Sequence, residues 1–201
     1  MKKIVLASKS IDRRELFKRS KIPFEVFITN VDEEKYKNEI LDPIKLIMKL
    51  AEAKALNAKK QMENKNEDLI IIAADTIVEL DGKIIGKAKN EQEAFHILKK
   101  LAGKTHNLMT GIIIMETKGS KKKILHDRTA VSFLDLSDEE IWGYIKTGEW
   151  KGRAGAYSIR DKASLFIESI EGSSSNVIGL PMHSIFTILK KEFGVNLLIE
   201  F

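Results

Sequence analysis

The order of apolar and polar positions along the chain predicts strands and helices in mixed succession. Short apolar runs between polar segments are typical of buried strands, and a wholly apolar run such as Leu69–Ala74 predicts a strand that is buried on both faces. We predict strands at Lys3–Ala7, Phe24–Thr29, Leu69–Ala74, Thr76–Leu80, Lys83–Ile85, Asn107–Glu116, Ile124–Phe133, Tyr157–Ile159 and Leu165–Ile170.

Helix boundaries are marked by capping residues, prolines and glycines. We predict helices over Ile11–Ser20, from Asp42-Pro43 to about Gln61, from Asn90 to Gly103, from Ser137 to Gly148 and from Pro181 to Gly194. The order is neither a strict strand–helix alternation nor an all-strand pattern. We therefore predict an α/β fold in which helices flank a mixed, twisted sheet, with residues 1–201 forming one domain.

Composition narrows the classes of protein to consider. Of the 201 residues, 43% are hydrophobic and 31% are charged, which is typical of a soluble globular domain. The absence of cysteine excludes disulfides and cysteine-ligated metal sites. No segment approaches the roughly 20 apolar residues of a membrane span, so we expect no membrane association and a cytoplasmic location.

The net charge of +5 suits a polyanionic partner such as nucleic acid, anionic lipid or a free nucleotide, although a solvated lysine-rich surface would also explain it. Aromatic residues make up only 7% of the chain, and it carries no known nucleic-acid-binding motif, so we do not expect nucleic acid as the partner.

The junction between the first strand and the first helix is a candidate phosphate site. Ser8 and Ser10 follow the strand, and Arg13 lies in the first turn of the helix. A helix N-terminus offers free N–H groups to an anion, and a guanidinium matches phosphate oxygens. An ordinary serine cap followed by surface arginines remains an equally good interpretation.

Asp75 is the second candidate, because it ends a fully apolar run. A buried aspartate must be paired, bind a metal or change its pKa, and strand ends commonly carry catalytic groups. The alternative is a turn aspartate that bonds to its own backbone.

Two lysines and an acidic segment could complete such a site. Lys54 lies at the edge of the apolar stripe formed by Ile44, Ile47, Met48, Ala51, Ala55 and Ala58. Thr76–Leu80 and Lys83–Ile85 are predicted to form a tight hairpin with Asp81-Gly82 as its turn, and Lys87 follows this hairpin. Glu33, within Val31-Asp32-Glu33-Glu34, could help to hold Mg²⁺. Taken alone, Lys54 could simply cover apolar surface, and the acidic segment could be a solvated run of charges.

Together these segments resemble the Maf family of nucleotide pyrophosphatases, in motif order and over nearly the whole chain. The motifs that carry the resemblance are Leu6-Ala7-Ser8-Lys9-Ser10-Ile11-Asp12-Arg13-Arg14-Glu15-Leu16-Phe17, Val31-Asp32-Glu33-Glu34, Leu50-Ala51-Glu52-Ala53-Lys54-Ala55, Ala74-Asp75-Thr76-Ile77-Val78 with Gly86-Lys87, Leu101-Ala102-Gly103-Lys104-Thr105-His106, Ala154-Gly155-Ala156-Tyr157 and Asn176-Val177-Ile178-Gly179-Leu180-Pro181.

The resemblance implies a two-lobed fold like that of the inosine triphosphatase superfamily, with a nucleotide cleft between the lobes. It implies hydrolysis of a nucleoside triphosphate to the monophosphate and pyrophosphate, with Mg²⁺ or another divalent cation, by a homodimer. Asp75 matches the proton acceptor that activates water. The residues that match the phosphate and metal site are Ser8, Arg13, Glu33, Lys54 and Lys87, and we expect Glu33 and Asp75 to be the metal ligands.

Base recognition is where the chain departs from the family pattern. Members that act on dTTP and UTP usually carry arginine at the position of Asp12, and the 7-methyl-GTP branch carries tryptophan there. The position of Arg160 is usually glutamine or glutamate, depending on the branch. Ala88 replaces the usual proline after Gly86-Lys87. Thr76 matches the dTTP/UTP pattern, so we expect Asp12, Thr76 and Arg160 to contact the substrate.

The alternative function is that of a regulator with the same fold that binds a nucleotide or a nucleic acid without catalysis.

Overall fold

The computed structural model describes residues 2–62 and 67–200, which divide into two compact units. Unit 1 comprises Met1–Asp75, Thr110–Asp127 and Gly179–Phe201, and unit 2 comprises Thr76–Met109 and Arg128–Ile178. The strands form a mixed sheet, which confirms the predicted fold class. Among the described residues this sheet has seven strands in the order β2-β1-β3-β5-β6-β7, with β4 paired to β3.

Most of the helices and strands lie where the sequence predicts them. In chain order they are β1 (Lys3–Ala7), α1 (Ile11–Arg19), β2 (Glu25–Phe27), α2 (Glu33–Glu39), α3 (Pro43–Met62), β3 (Leu69–Leu80), β4 (Lys83–Ile85), α4 (Glu91–Leu101), β5 (Thr105–Glu116), β6 (Lys122–Phe133), α5 (Asp138–Ile145), a 3₁₀ turn (Lys162–Leu165), β7 (Ile167–Glu171), α6 (Ser174–Ile178) and α7 (Met182–Glu192).

Unit 1 is built on strands that are buried on both faces. Strand β1 runs parallel to β2 and to β3, with Ala7 opposite Ala73. Alternate residues of the strands face two apolar layers. One layer packs against α1 and α7 and includes Leu6, Ile72 and Ala74, whereas the other packs against α3 and includes Ile71 and Ala73. This two-sided burial explains the continuous apolar run that the sequence showed.

Helix α3 packs very closely against β5. A Cβ added to Gly111 in β5 would lie 2.6 Å from the backbone carbonyl carbon and oxygen of Ile47 in α3. Only glycine, which has no Cβ, permits this approach of backbone to backbone.

Unit 2 has a core that is rich in aromatic rings. Phe133 contacts His106, Tyr157 and Phe166 edge-to-face, with ring centroids 4.7 to 5.0 Å apart. His106 is fully buried, and its Nε2 lies 2.9 Å from the hydroxyl of Tyr157. The cluster thereby fixes the loop that contains Tyr157.

Four predictions about secondary structure were wrong. Leu69–Ala74 and Thr76–Leu80 form one continuous strand, β3, because Asp75 continues the extended backbone and makes no turn. Tyr157–Ile159 lies in a turn region that follows Ala156, whose φ is +59°. Helices α2 and α6 were missed, because each is short, with seven and five residues. No helix among the described residues is long and apolar enough to span a membrane.

Candidate functional site

The parallel pairing of β1 with β3 brings two candidate segments of unit 1 together. Because Ala7 pairs with Ala73 in the last pair of the β1–β3 ladder, Ser8 and Ala74 follow it side by side, where β1 ends and β3 continues. Asp75 comes next on β3 and is only 8% exposed. Its side chain belongs to the same alternate set as Ile71 and Ala73, which face α3.

Lys54 of α3 meets Asp75 on that face. Its Nζ lies 2.6 Å from Oδ1 of Asp75 and 2.9 Å from Oε1 of Glu33. Lys54 is 8% exposed and Glu33 is half-buried. Two carboxylates and one ammonium thus form a partly buried ion cluster from three separate parts of unit 1.

The sequence suggested that Lys54 lies at the edge of the apolar stripe of α3. In the structure Lys54 instead lies within the buried face of this helix. Leu46 and Leu50 are buried, whereas Ile44 is 36% exposed, so the buried stripe is rotated from the predicted one. Lys54 follows Leu50 by four residues and therefore lies on the same side of the helix. A lysine at this position is buried because it has two carboxylate partners.

Glu33 is placed by the start of α2. Asp32 is the N-cap residue, and its carboxylate accepts a hydrogen bond from the backbone N–H of Lys35 at 3.3 Å. The acidic segment is therefore a helix start and not only a solvated charge run, because acids at a helix N-terminus complement its dipole. This start turns one acid of the segment, Glu33, toward Lys54.

A network of hydrogen bonds at the start of α1 joins Ser8, Ser10 and Arg13. Ser10 is the N-cap and accepts from the backbone N–H of Arg13 at 3.3 Å, while the hydroxyl of Ser8 accepts from the N–H of Ser10 at 3.2 Å. The guanidinium of Arg13 donates through Nε to the carbonyl of Gly179 and through Nη1 to the carbonyl of Ala74, both at 2.8 Å. The predicted serine cap is confirmed, but Arg13 is a buried residue and not a surface one.

Burial lowers the pKa of Arg13, and the nearby carboxylates of Asp75, Glu33 and Asp12 oppose that shift. The guanidinium is nevertheless charged at any physiological pH, because arginine normally titrates far above it. Asp12 itself is half-buried in the first turn of α1. Asp12 and Asp75 thus both belong to the electrostatic surroundings of Arg13.

The donor chemistry of Glu33 and Asp75 fits a magnesium ion. Both carboxylates lie within 3 Å of the same nitrogen, Nζ of Lys54, so their oxygens lie close together. Mg²⁺ in phosphate-processing enzymes commonly takes one or two carboxylates and completes its shell with water and substrate oxygens. Within residues 2–62 and 67–200 no group of three or more His, Asp or Glu side chains is arranged as a metal site.

Three of the predicted residues belong to unit 2. Thr76 follows Asp75 directly on β3 and is half-buried. Lys87 is exposed and forms an antiparallel bridge with Ala154, so two of the sequence motifs are joined. Arg160 is half-buried in the turn that follows Tyr157.

The sequence did not single out the two carbonyls that receive Arg13. Ala74 and Gly179 lie in motifs quoted above, but a backbone acceptor has no side-chain signal that a sequence could show.

The family model described as Maf-like protein matches residues 3–192, which is nearly the whole chain. The chain belongs to the Maf-like protein family.

Curated relatives agree with the Maf-like assignment. The chain is 45% identical over 193 residues to the dTTP/UTP pyrophosphatase of Caldanaerobacter subterraneus subsp. tengcongensis, covering 96% of this chain and 90% of the relative. It is 45% identical over 196 residues to the protein of that name from Thermoanaerobacter sp., covering 98% and 100%. The relative from Caldicellulosiruptor saccharolyticus, with the same name, is 42% identical over 191 residues, covering 95% of each.

One solved structure is also similar to this Maf-like chain. It is a nucleoside-triphosphatase / dITP/XTP pyrophosphatase from Mycobacterium abscessus, with a TM-score of 0.40 and 14% sequence identity, and the match covers 65% of this chain and 72% of that one.

Proposed function

We propose that this Maf-like protein hydrolyses a pyrimidine nucleoside triphosphate of the dTTP and UTP type to the monophosphate and pyrophosphate. The names of the relatives support this reaction and this substrate class. The observation in the structure that carries the proposal is the buried contact of 2.6 Å between Lys54 and Asp75. A buried carboxylate that is held in one orientation by a lysine is the kind of group that can activate a water molecule.

Asp75 is the general base in this proposal. Its Oδ1 accepts from Lys54, which fixes the carboxylate, and Oδ2 takes the proton from the water that attacks the α-phosphorus. The bond that breaks joins the α-phosphorus to the oxygen bridging to the β-phosphate, so pyrophosphate leaves. The amine of Lys54 also stabilises the negative charge that develops on the phosphates.

Glu33 and Asp75 would hold the divalent cation, and Mg²⁺ fits their oxygen donors. When bound, such a cation neutralises phosphate charge and makes the pyrophosphate a better leaving group. Lys87 is assigned to the phosphates by its motif. The homodimer and the cytoplasmic location stay predictions of the sequence.

Product analysis tests the bond that is cleaved. Purified protein is incubated with Mg²⁺ and each of the common ribo- and deoxyribonucleoside triphosphates, and the products are separated by ion-exchange chromatography. We expect monophosphate and pyrophosphate, with dTTP and UTP turned over fastest. Release of diphosphate and orthophosphate would show a γ-phosphatase and contradict the proposal.

Asp75→Asn tests the assigned base. We expect kcat to fall by about 10²–10⁴, the usual contribution of acid–base catalysis, while the fold is retained because the two side chains are nearly isosteric. Asp138→Asn is the matched control, because Asp138 is an exposed carboxylate paired with Lys99 on the surface of unit 2. If Asp75→Asn turns over substrate as fast as this control, Asp75 is not the base.

A further inference from the structure

The side chain of Arg13 forms hydrogen bonds to the protein backbone. Its side chain is 7% exposed, and two of its N–H groups donate to main-chain carbonyls at 2.8 Å, those of Gly179 and Ala74. The Nη1 atom also lies 3.4 Å from the hydroxyl of Ser8. Charge-assisted hydrogen bonds of this kind are among the stronger ones in proteins, so they hold the guanidinium in a fixed position.

The carbonyl of Ala74 is the important acceptor, because Asp75 is the next residue. The ladder between β1 and β3 ends at the pair Ala7 and Ala73. The Ala74–Asp75 peptide therefore lies just beyond the last β1 partner, and Arg13 supplies a donor where β1 no longer pairs. Because the peptide is planar, fixing its carbonyl also fixes the plane that carries the N–H and Cα of Asp75.

Ser8 strengthens the same arrangement. It is 3% exposed, its hydroxyl accepts from the N–H of Ser10 at 3.2 Å, and it faces Nη1 of Arg13. Ser8 and Arg13, two of the predicted phosphate ligands at the start of α1, thus form hydrogen bonds within the protein. The link runs from the first turn of α1, through the guanidinium, to the peptide that precedes Asp75.

We propose that Arg13 is a positioning residue that aligns Asp75 by clamping the Ala74 carbonyl, rather than a ligand of the substrate phosphates. This inference rests on the proposed function of Asp75. The fork geometry explains why arginine is needed here, since its several N–H groups bond two carbonyls at once. A lysine ammonium keeps the charge but lacks the planar fork.

Arg13→Lys separates positioning from phosphate binding. We expect kcat to fall by roughly 10²-fold, the cost of a misplaced catalytic group, while KM and the inhibition constant of pyrophosphate stay within about twofold of wild type. Arg19→Lys, at the exposed last turn of α1, is the matched control and should change none of these values. A rise in the inhibition constant of more than about tenfold would show a phosphate ligand and overturn the proposal.

Hydrogen exchange tests the clamp without using the enzyme activity. We expect the amide of Asp75 to exchange about tenfold faster in Arg13→Lys than in Arg19→Lys, because one strong hydrogen bond to the peptide is lost. If Arg13→Lys does not fold, Ser8→Ala takes its place, with a smaller fall in kcat and an unchanged KM.

The two proposals fail in different ways. Unchanged exchange at Asp75 in the folded variant overturns the clamp even where pyrophosphate is released. Faster exchange in a protein that releases no pyrophosphate from any nucleotide would leave the clamp intact and defeat the proposed function.

Discussion

His106 gives unit 2 a stability that depends on pH. The imidazole is fully buried among aromatic rings, and this burial lowers its pKa to about 4 from the ordinary value of 6.5. In the unfolded chain the ring is in water and titrates at its ordinary value. Between these two pKa values the unfolded chain therefore binds a proton that the folded protein does not bind.

The direction and size of the effect follow from this difference. The depressed pKa contributes stability that is fully present above about pH 6.5 and is lost as the pH falls toward 4. Each pH unit in this window corresponds to about 1.4 kcal/mol, so the whole window amounts to about 3 kcal/mol. From pH 7.5 to pH 5, we expect His106 to account for a loss of about 2 kcal/mol.

Urea unfolding monitored by tryptophan fluorescence measures this loss, because Trp142 and Trp150 both lie in unit 2. The free energy of unfolding is determined at pH 7.5 and pH 5 for wild type and for His106→Gln, whose amide can still bond to Tyr157 but does not titrate. We expect wild type to lose about 2 kcal/mol more than the variant.

His126→Gln, at an exposed position on β6, is the control and should behave as wild type. Equal losses in wild type and His106→Gln would show that His106 is not buried in the neutral form, and would refute this reasoning.

Two further predictions concern packing and base choice. Gly111→Ala should destabilise unit 1 by about 1–3 kcal/mol in a denaturant titration, because its Cβ would meet the backbone of Ile47, whereas Gly143→Ala, which meets nothing within 4 Å, should not destabilise the protein. Asp12→Arg and Arg160→Gln should each alter the ranking of kcat/KM across a purine and pyrimidine panel more than the turnover of the best substrate, since a mismatched base leaves a polar group unpaired. An unchanged ranking would mean that neither residue recognises the base.

Local signals in the sequence predicted much of the fold. The capping box of Ser137 and Glu140 and the N-cap of Asn90 correspond to the starts of α5 and α4. The Asp81-Gly82 pair forms the predicted hairpin turn, with φ of +52° and +76°. Such features depend only on neighbouring residues, so a sequence states them directly.

The site depends on contacts that no local pattern encodes. The sequence suggested Lys54 and Asp75 separately, but their contact requires the packing of α3 on the sheet. The buried stripe of α3 includes Leu46 and Leu50 and is therefore centred nearer to Lys54 than the predicted stripe. The backbone acceptors of Arg13 could not be predicted, because every residue has a carbonyl and the sequence does not show which ones accept a hydrogen bond.

The chain path of unit 1 has a consequence for protein synthesis. Its core combines Met1–Asp75 with Gly179–Phe201, and the latter segment supplies Leu180, Ile185 and Leu189 to the layer beneath α1. During translation the N-terminal strands are made long before α7, so the apolar faces that α7 covers stay exposed until it has been made. Unit 1 can complete its core only after the last segment has left the ribosome, and the nascent strands are open to aggregation or to a chaperone until then.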